Sequence, residues 1–260
     1  MVFKRLRRIG GGGSVPLEVD TQVAAGFVRP GETLQGEVLL RALDREVELS
    51  GVELEMFAEV KPSYEGADTR ETICWPSASA YFKLAKGEER RVPFEHRLPW
   101  DVPVTEVSGQ AVGAVLGLTT KVRIGENDEA VGDHDLVHVA ALPLHEAIFD
   151  AFAAEGYLCD ACEITGDQIP TVEYGLYMTQ TFLLADRLGT GSRPARLELS
   201  FVTNRVGCEI YLRRAAPAQD DWEDKPPAGS WVAAHHDIGR VDFAAEARTW
   251  IDLVTKMPAA

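Results

Sequence analysis

Basic charge is what this chain has least of. It carries 26 Lys and Arg against 41 Asp and Glu, a formal net charge of -15 over 260 residues. A nucleic-acid binder needs a cationic stripe to displace counterions from phosphates, so nucleic acid is excluded as an expected partner. The acidity is read as solubility and self-repulsion. Cysteine is also scarce, with Cys74, Cys159, Cys162 and Cys208 making up the whole set. A chain of this length can bury a core without disulfide staples, and a reducing cytoplasm is the expected compartment. No apolar run approaches the ~20 residues of a membrane span. No secretory signal is visible either, because glycines follow the basic residues near Met1 where an apolar stretch would be needed. The compact catalytic motifs G-x-S-x-G, P-loop and H-E-x-x-H are missing, and no internal repeat is apparent.

What the chain has in quantity is alternation. Hydrophobic residues make up 45% and charged residues 26%, enough for a sizeable core. At residues 28–40, Pro30 and Gly31 form a turn before Leu34, Gly36, Val38 and Leu40, which share one face, with Gln35 and Glu37 on the other. The same period-two pattern runs through residues 52–61 and 91–98, places His96 on an apolar face as a core histidine with paired ring nitrogens rather than a catalyst, and makes a long face from Val112 to Ile124 and a short one from Val137 to Ala141. Half-buried antiparallel strands read this way. In residues 142–156 the period changes: Leu144, Ile148, Phe149 and Phe152 fall on one helical face, with Pro143 at the first turn and Gly156 at the cap. A second β block follows over residues 157–213, with a hairpin at 204–207. An acidic, Pro-rich loop is expected at 216–230, and Asp242 is the N-cap of a final amphipathic helix carrying Phe243, Trp250 and Val254.

The expected domains are therefore a basic amphipathic leader and Gly-rich linker at 1–14, an N-terminal β-sandwich at 15–142, and a C-terminal β-sandwich with flanking helices at 143–260. Phe3, Lys4, Arg5, Leu6, Arg7 and Arg8 in the leader are the candidate contacts with an anionic membrane surface.

Few residues suggest chemistry. Cys159 and Cys162 have the C-x-x-C spacing, but they fall in a predicted strand, where residues three apart point to opposite faces, and no second pair completes a zinc site. His134 and His138 share a predicted strand face beside Asp133 and Asp135, and His235, His236 and Asp237 form a second cluster. These are the raw material for an alternative reading as a metal-dependent hydrolase using His134, His138 and His235, but a third ligand and its supporting partners must come from elsewhere in the chain. Phe57, on the outward face of an otherwise acidic strand, is a candidate contact residue or packs under the neighbouring domain.

Five stretches together resemble one family. They are Val19-Asp20-Thr21, VRPGETLQGEVLL at 28–40, DREVELSGVELEM at 44–56, LPWDVPVTEVSG at 98–109 with Trp100, Pro103, Thr105 and Gly109 as its marks, and LELSFVTNRVGCEIYL at 197–212 followed by the helix carrying Trp250. The chain resembles the bacterial sporulation-control (SpoOM) proteins, which are arrestin-like. The resemblance implies a mainly β fold of two tandem arrestin-like β-sandwich domains with a short linking helix and a C-terminal helix. It also implies a cytoplasmic regulatory or scaffold role, exercised by binding protein partners or by self-association. It supplies no catalytic residues and no cofactor, so a non-enzymatic protein is expected.

Overall fold

The computed structural model describes residues 16–24, 26–62, 69–76, 78, 81–125, 129–166, 169, 178–189, 191, 194–215 and 228–257. The leader with its candidate membrane contacts, Phe3 to Arg8, lies outside the described residues, as does the acidic stretch 216–227. The first block contains β1 (Leu17–Val23), β2 (Thr33–Ala42), β3 (Val47–Glu59), β4 (Arg70–Cys74), β5 (Phe82–Leu84), β6 (Glu89–Arg97), β7 (Glu106–Val107), β8 (Gln110–Ala111), β9 (Leu116–Ile124) and β10 (Glu129–Leu136). Then come α1 (Pro143–Ala154), β11 (Tyr157–Thr165), β12 (Thr179–Asp186), β13 (Arg196–Thr203), β14 (Gly207–Arg214), β15 (Gly229–Ala234) and α2 (Phe243–Lys256).

Alternation becomes two facing sheets in the first block. One has the order β1-β2-β6, the other β10-β9-β3-β4 with β5 added to β3. Leu34, Val38 and Leu40 of β2 are buried, as are Leu54 and Met56 of β3 and Leu118 and Val122 of β9; burying a side chain of this size contributes about 1.5–3 kcal/mol. Gly36 sits where a Cβ would run into the Phe94 ring and the Gln22 carbonyl, so the strand pair closes only over a bare α-carbon. Polar groups tie the two sheets at one side: Asp133 Oδ2 accepts from the Thr21 backbone N–H at 2.8 Å, and the Thr21 and Thr120 hydroxyls bond at 2.6 Å.

The long strand expected from Val112 to Ile124 is broken. Gly113 has φ +97, a backbone state that interrupts a ladder, and the regular strand begins only at Leu116. In residues 137–141, expected as a short strand, Val137, Val139, Ala140 and Ala141 are buried and His138 is exposed, but the segment pairs only through isolated bridges, Val139 with Val28 and Ala140 with Glu106.

The helix at the boundary begins at Pro143, and Gly156 takes φ +87 just past its end, the left-handed cap that glycine supplies most readily. Beyond it lies one five-stranded antiparallel sheet, β11-β12-β13-β14-β15. Leu199 pairs with Leu212 and Phe201 with Ile210, the inward set expected for this hairpin. Its turn is closed by Asn204, whose Oδ1 accepts from Val206 N–H at 2.8 Å and Gly207 N–H at 3.2 Å.

Among the described residues, the layer on this sheet's inner face is made by α1 and α2. Phe149 packs edge-on to Phe182 at 4.9 Å and to Phe201 at 5.7 Å, while Trp250 stacks on Trp231 at 5.2 Å. Asp242 caps α2 by accepting from Ala245 N–H at 3.1 Å. β15 begins in the last two residues of the expected loop, Gly229 and Ser230, and runs on through a stretch that carried no expectation. Its sequence, GSWVAA, lacks alternation, and pairing with β14 holds it as a strand.

Candidate functional site

The two blocks meet along a seam, and the most specific motif of the chain lies on it. Gly31 has φ +76, and a Cβ there would stand 2.6 Å from the Trp100 indole. The Pro30-Gly31 turn and the Trp100 turn are thus one packing unit, joined also by Leu98 N–H donating to the Glu32 carbonyl at 2.9 Å. The other end of Trp100 reaches the second block, with its ring 5.7 Å from that of His235. Farther along, Gln180 of β12 reads the backbone of Val104 in both directions: its Oε1 accepts from the Val104 N–H at 2.8 Å and its Nε2 donates to the Val104 carbonyl at 2.7 Å. The seam continues through Lys61 N–H to the Ile164 carbonyl at 2.7 Å and Cys162 N–H to the Val112 carbonyl at 3.0 Å.

Trp100, Val104, His145, Met178, Gln180 and Thr203 line a partly open cavity of about 50 Å³ at the seam. That is room for water, which needs only ~10–15 Å³, but far below the ~300 Å³ of an ordinary small-molecule site. His145, in the first turn of α1, is 4% exposed. Its ring stacks on Phe201 at 4.4 Å, and its Nε2 bonds the Thr203 hydroxyl at 2.9 Å. Among the described residues its buried Nδ1 has no hydrogen-bond partner. Burial, followed by the neighbouring charge of His235, pushes the ring down to about 3, so it is a neutral imidazole at ordinary pH. Neither His145 nor Gln180 stood out in the sequence. His145 sits four residues before Phe149, hence on the helical face that carries the apolar set, and that was the available signal; nothing marked Gln180.

The histidines singled out for metal chemistry are dispersed. His134 is on the exposed side of β10, stacked on Phe57 at 5.1 Å, with Nδ1 3.2 Å from the Thr119 hydroxyl. His138 is exposed beyond the end of β10. The Nε2 of His235 bonds the Asn204 carbonyl at 3.0 Å on the far side of the seam. Asp133 spends its carboxylate on backbone N–H groups of Thr21 and His134. Among the described residues, no group of three or more His, Cys, Asp or Glu side chains is arranged to hold a metal ion.

Two further readings change. His96 is half-buried rather than a core residue. Phe57 is 3% exposed, covered by Arg70 at 4.4 Å and lying over Gly117, where a Cβ would collide with its ring. Arg70, Gly117 and His134 all belong to its own sheet, so it packs against neighbouring strands of the first block rather than under the second, and it presents no contact surface. The expectation that Cys159 and Cys162 point apart also fails. A β-bulge between Cys159 and Ala161 absorbs one residue, which returns both cysteines to the same face.

Comparisons with known proteins follow the same outline. A model of the SpoOM protein family matches residues 3–215. Among solved structures, Spo0M, the sporulation control protein of Bacillus subtilis, is similar at 20% identity over 92% of this chain and 99% of that one, with a TM-score of 0.77. This likeness shows the fold, which is mainly β and arrestin-like. PapD-like domain 7 of human CEP192 matches at 13% identity over 55% of this chain and 96% of that one, with a TM-score of 0.30. A family 123 glycoside hydrolase from Clostridium perfringens matches at 10% identity over 45% and 22%, with a TM-score of 0.28. Likeness at that level carries no argument. No curated protein matches the chain.

Proposed function

Because the chain belongs to the SpoOM protein family, we propose that it is a sporulation-control regulatory protein that works without catalysis, by binding protein partners. The family match over residues 3–215 carries this reading. The seam supports it, since its cavity is too small for an organic substrate and its one buried histidine is held neutral. The division into units at 15–142 and 143–260 belongs to the same proposal, with Trp100, His145 and Gln180 joining the two. So does action in the cytoplasm, with residues 3–8 as an accessory membrane contact. No helix among the described residues is long and apolar enough to cross a membrane.

The test uses the full chain. A partner captured in stoichiometric amount from lysate of the native host is purified and rebound at micromolar concentration, alongside a sedimentation measurement of the chain alone. Rebinding, or self-association, supports the reading. A chain that stays monomeric and rebinds nothing removes it. For the leader, co-sedimentation with phosphatidylglycerol vesicles is compared with and without residues 1–14; equal binding rules the leader out as an anchor.

A further inference from the structure

β15 is the last strand of the sheet in the second block, and its outer edge is bare. The Gly207 carbonyl accepts from Asn204 N–H at 2.9 Å, and Ala215 N–H donates to the Arg196 carbonyl at 3.1 Å, so the odd-numbered residues along β14 turn their backbone groups toward β13. The even-numbered ones face β15, where Cys208 pairs with Ala233, Ile210 with Trp231 and Leu212 with Gly229. Ser230, Val232 and Ala234 therefore point away from the sheet. Asp237 Oδ2 takes the Ala234 N–H at 2.8 Å. Among the described residues, nothing bonds the outward N–H and C=O groups of Ser230 or Val232, and the Val232 side chain is 82% exposed.

Among the described strands, the other sheet edges are blunted. β6 has Pro93 at its centre amid charged residues, β4 carries Arg70 and Glu71, and β10 carries Asp133 and Asp135. β5, β7 and β8 are only two or three residues long. β1 gives its Thr21 N–H to Asp133, and β11 is covered by the first block through Cys162 and Lys61. Charge, proline, shortness and cover are what keep an edge from pairing with another chain. β15, GSWVAA, has no charge, no proline and no bulge. Helix α2 lies over β14 and β15, with Trp250 stacked on Trp231. Arg248 binds Glu155 at the end of α1 at 2.8 Å, so at ~100° per residue Glu246 and Leu253 fall on the opposite flank of α2, beside the bare edge. Leu253 is 45% exposed, and with Trp231 it makes an apolar ledge there.

We propose that the β15 edge docks an extended, lysine- or arginine-bearing segment of a partner protein, which lengthens the sheet by one antiparallel strand. Bonds to the backbone of Ser230 and Val232 hold it. Its alternate side chains fall on two faces. Apolar ones rest on the ledge of Trp231 and Leu253. Basic ones lie along Val232, their stems on that side chain and their charged ends toward Glu209, its neighbour across the ladder. Charge selects this occupant over a second copy: each chain carries a net charge of -15, and joining two such edges brings Glu209 and Glu246 of both copies together. The inference deepens the partner-binding reading and rests on it.

The experiment adds an acetylated heptapeptide of alternating valine and lysine to the full chain and follows amide hydrogen exchange by NMR, with a glutamate-for-lysine peptide as the control. In the chain alone the Ser230 and Val232 amides exchange freely. At saturating lysine peptide both should slow roughly tenfold, the scale of one net hydrogen bond, with the amides of Trp231, Ala233 and Ala234 unchanged. Val232→Pro should weaken peptide binding roughly tenfold; because its N–H faces away from β14, proline there removes no bond of the sheet. Val232→Lys, which puts a like charge on the edge, should weaken it too and serves as the second variant where proline disturbs the strand. Slow exchange of Ser230 and Val232 in the chain alone would show that its own residues or a second copy already fill the edge, and would overturn the proposal. So would a lysine peptide that leaves these two amides unprotected, or equal binding of the glutamate peptide. A captured partner that rebinds Val232→Pro as tightly as the wild type would overturn this edge and leave the partner-binding reading standing; a chain that captures no partner and does not self-associate removes that reading whatever the peptide does.

Discussion

The two β blocks bury their inner faces in different ways. In the first, aliphatic side chains of two sheets meet across the gap, with Leu34, Val38 and Leu40 on one side and Leu54, Met56 and Leu118 on the other. In the second, among the described residues, one sheet is covered by two helices, and aromatic rings fill the space: Phe149, Phe152, Phe182, Phe201, Trp231 and Trp250. Its other face is polar and yet buried. There the hydroxyls of Thr181 and Ser200 bond at 3.1 Å, and Glu198 pairs with Arg213 at 2.7 Å. Facing sheets lie about 10 Å apart, a gap that Leu and Val fill from both sides. A helix laid on a sheet leaves wider, less regular gaps, and large rings close them. The second block therefore concentrates its packing in fewer side chains.

That concentration can be broken directly. Trp250→Ala should cost about 3–5 kcal/mol, as expected for deleting a buried aromatic, and should abolish amide protection in β14 and β15 while β3 and β9 keep theirs. Uniform loss across both blocks would show that the two do not differ in this way. Gly31→Ala attacks the seam. The φ of +76 costs a side chain about 1–2 kcal/mol, and displacing the Trp100 ring adds roughly 1–3 kcal/mol. Its diagnostic is a changed tryptophan emission, which an ordinary turn substitution would leave alone.

The pH dependence sharpens the contrast. In the folded chain His145 stays neutral down to about 3, whereas in the unfolded chain it takes up a proton below its ordinary ~6.5. The unfolded state thus binds more protons in the window between these values, and stability falls as pH drops through it, by up to ~1.4 kcal/mol per pH unit. Urea titrations should show this slope in the wild type and a shallower one in His145→Phe; equal slopes would refute the assignment. The smallest effect is expected from Asp242→Ala, which removes the cap of α2 for about 1 kcal/mol, read as a modest shift of the urea midpoint with the first block unaffected.

Much of this architecture was legible in the residues. Alternation located β2, β3 and β6, and the change of period with Pro143 and Gly156 marked α1 to within a residue or two. β15 was missed because its six residues carry no alternation; pairing with β14, the strand before it in the chain, holds it in place. The break at Gly113 was hidden inside an unbroken apolar pattern, since side-chain periodicity is blind to a single positive φ. The seam was the least legible part. Trp100 stood out as a motif, but its partners Gly31 and His235 are distant along the chain.

By itself the sequence determined the mainly β class, the family, the positions of both helices and the absence of any compact catalytic motif, because these follow from local period, caps and short motifs. Only the tertiary structure decided which residues share a site. It scattered His134, His138 and His235, buried Phe57, gathered His145 and Gln180 around one small cavity, and through a single extra residue turned Cys159 and Cys162 to the same face. The physical reason is that strand period and helix caps are properties of neighbours in the chain, whereas a bulge, a seam or a cavity exists only once distant strands have chosen their register.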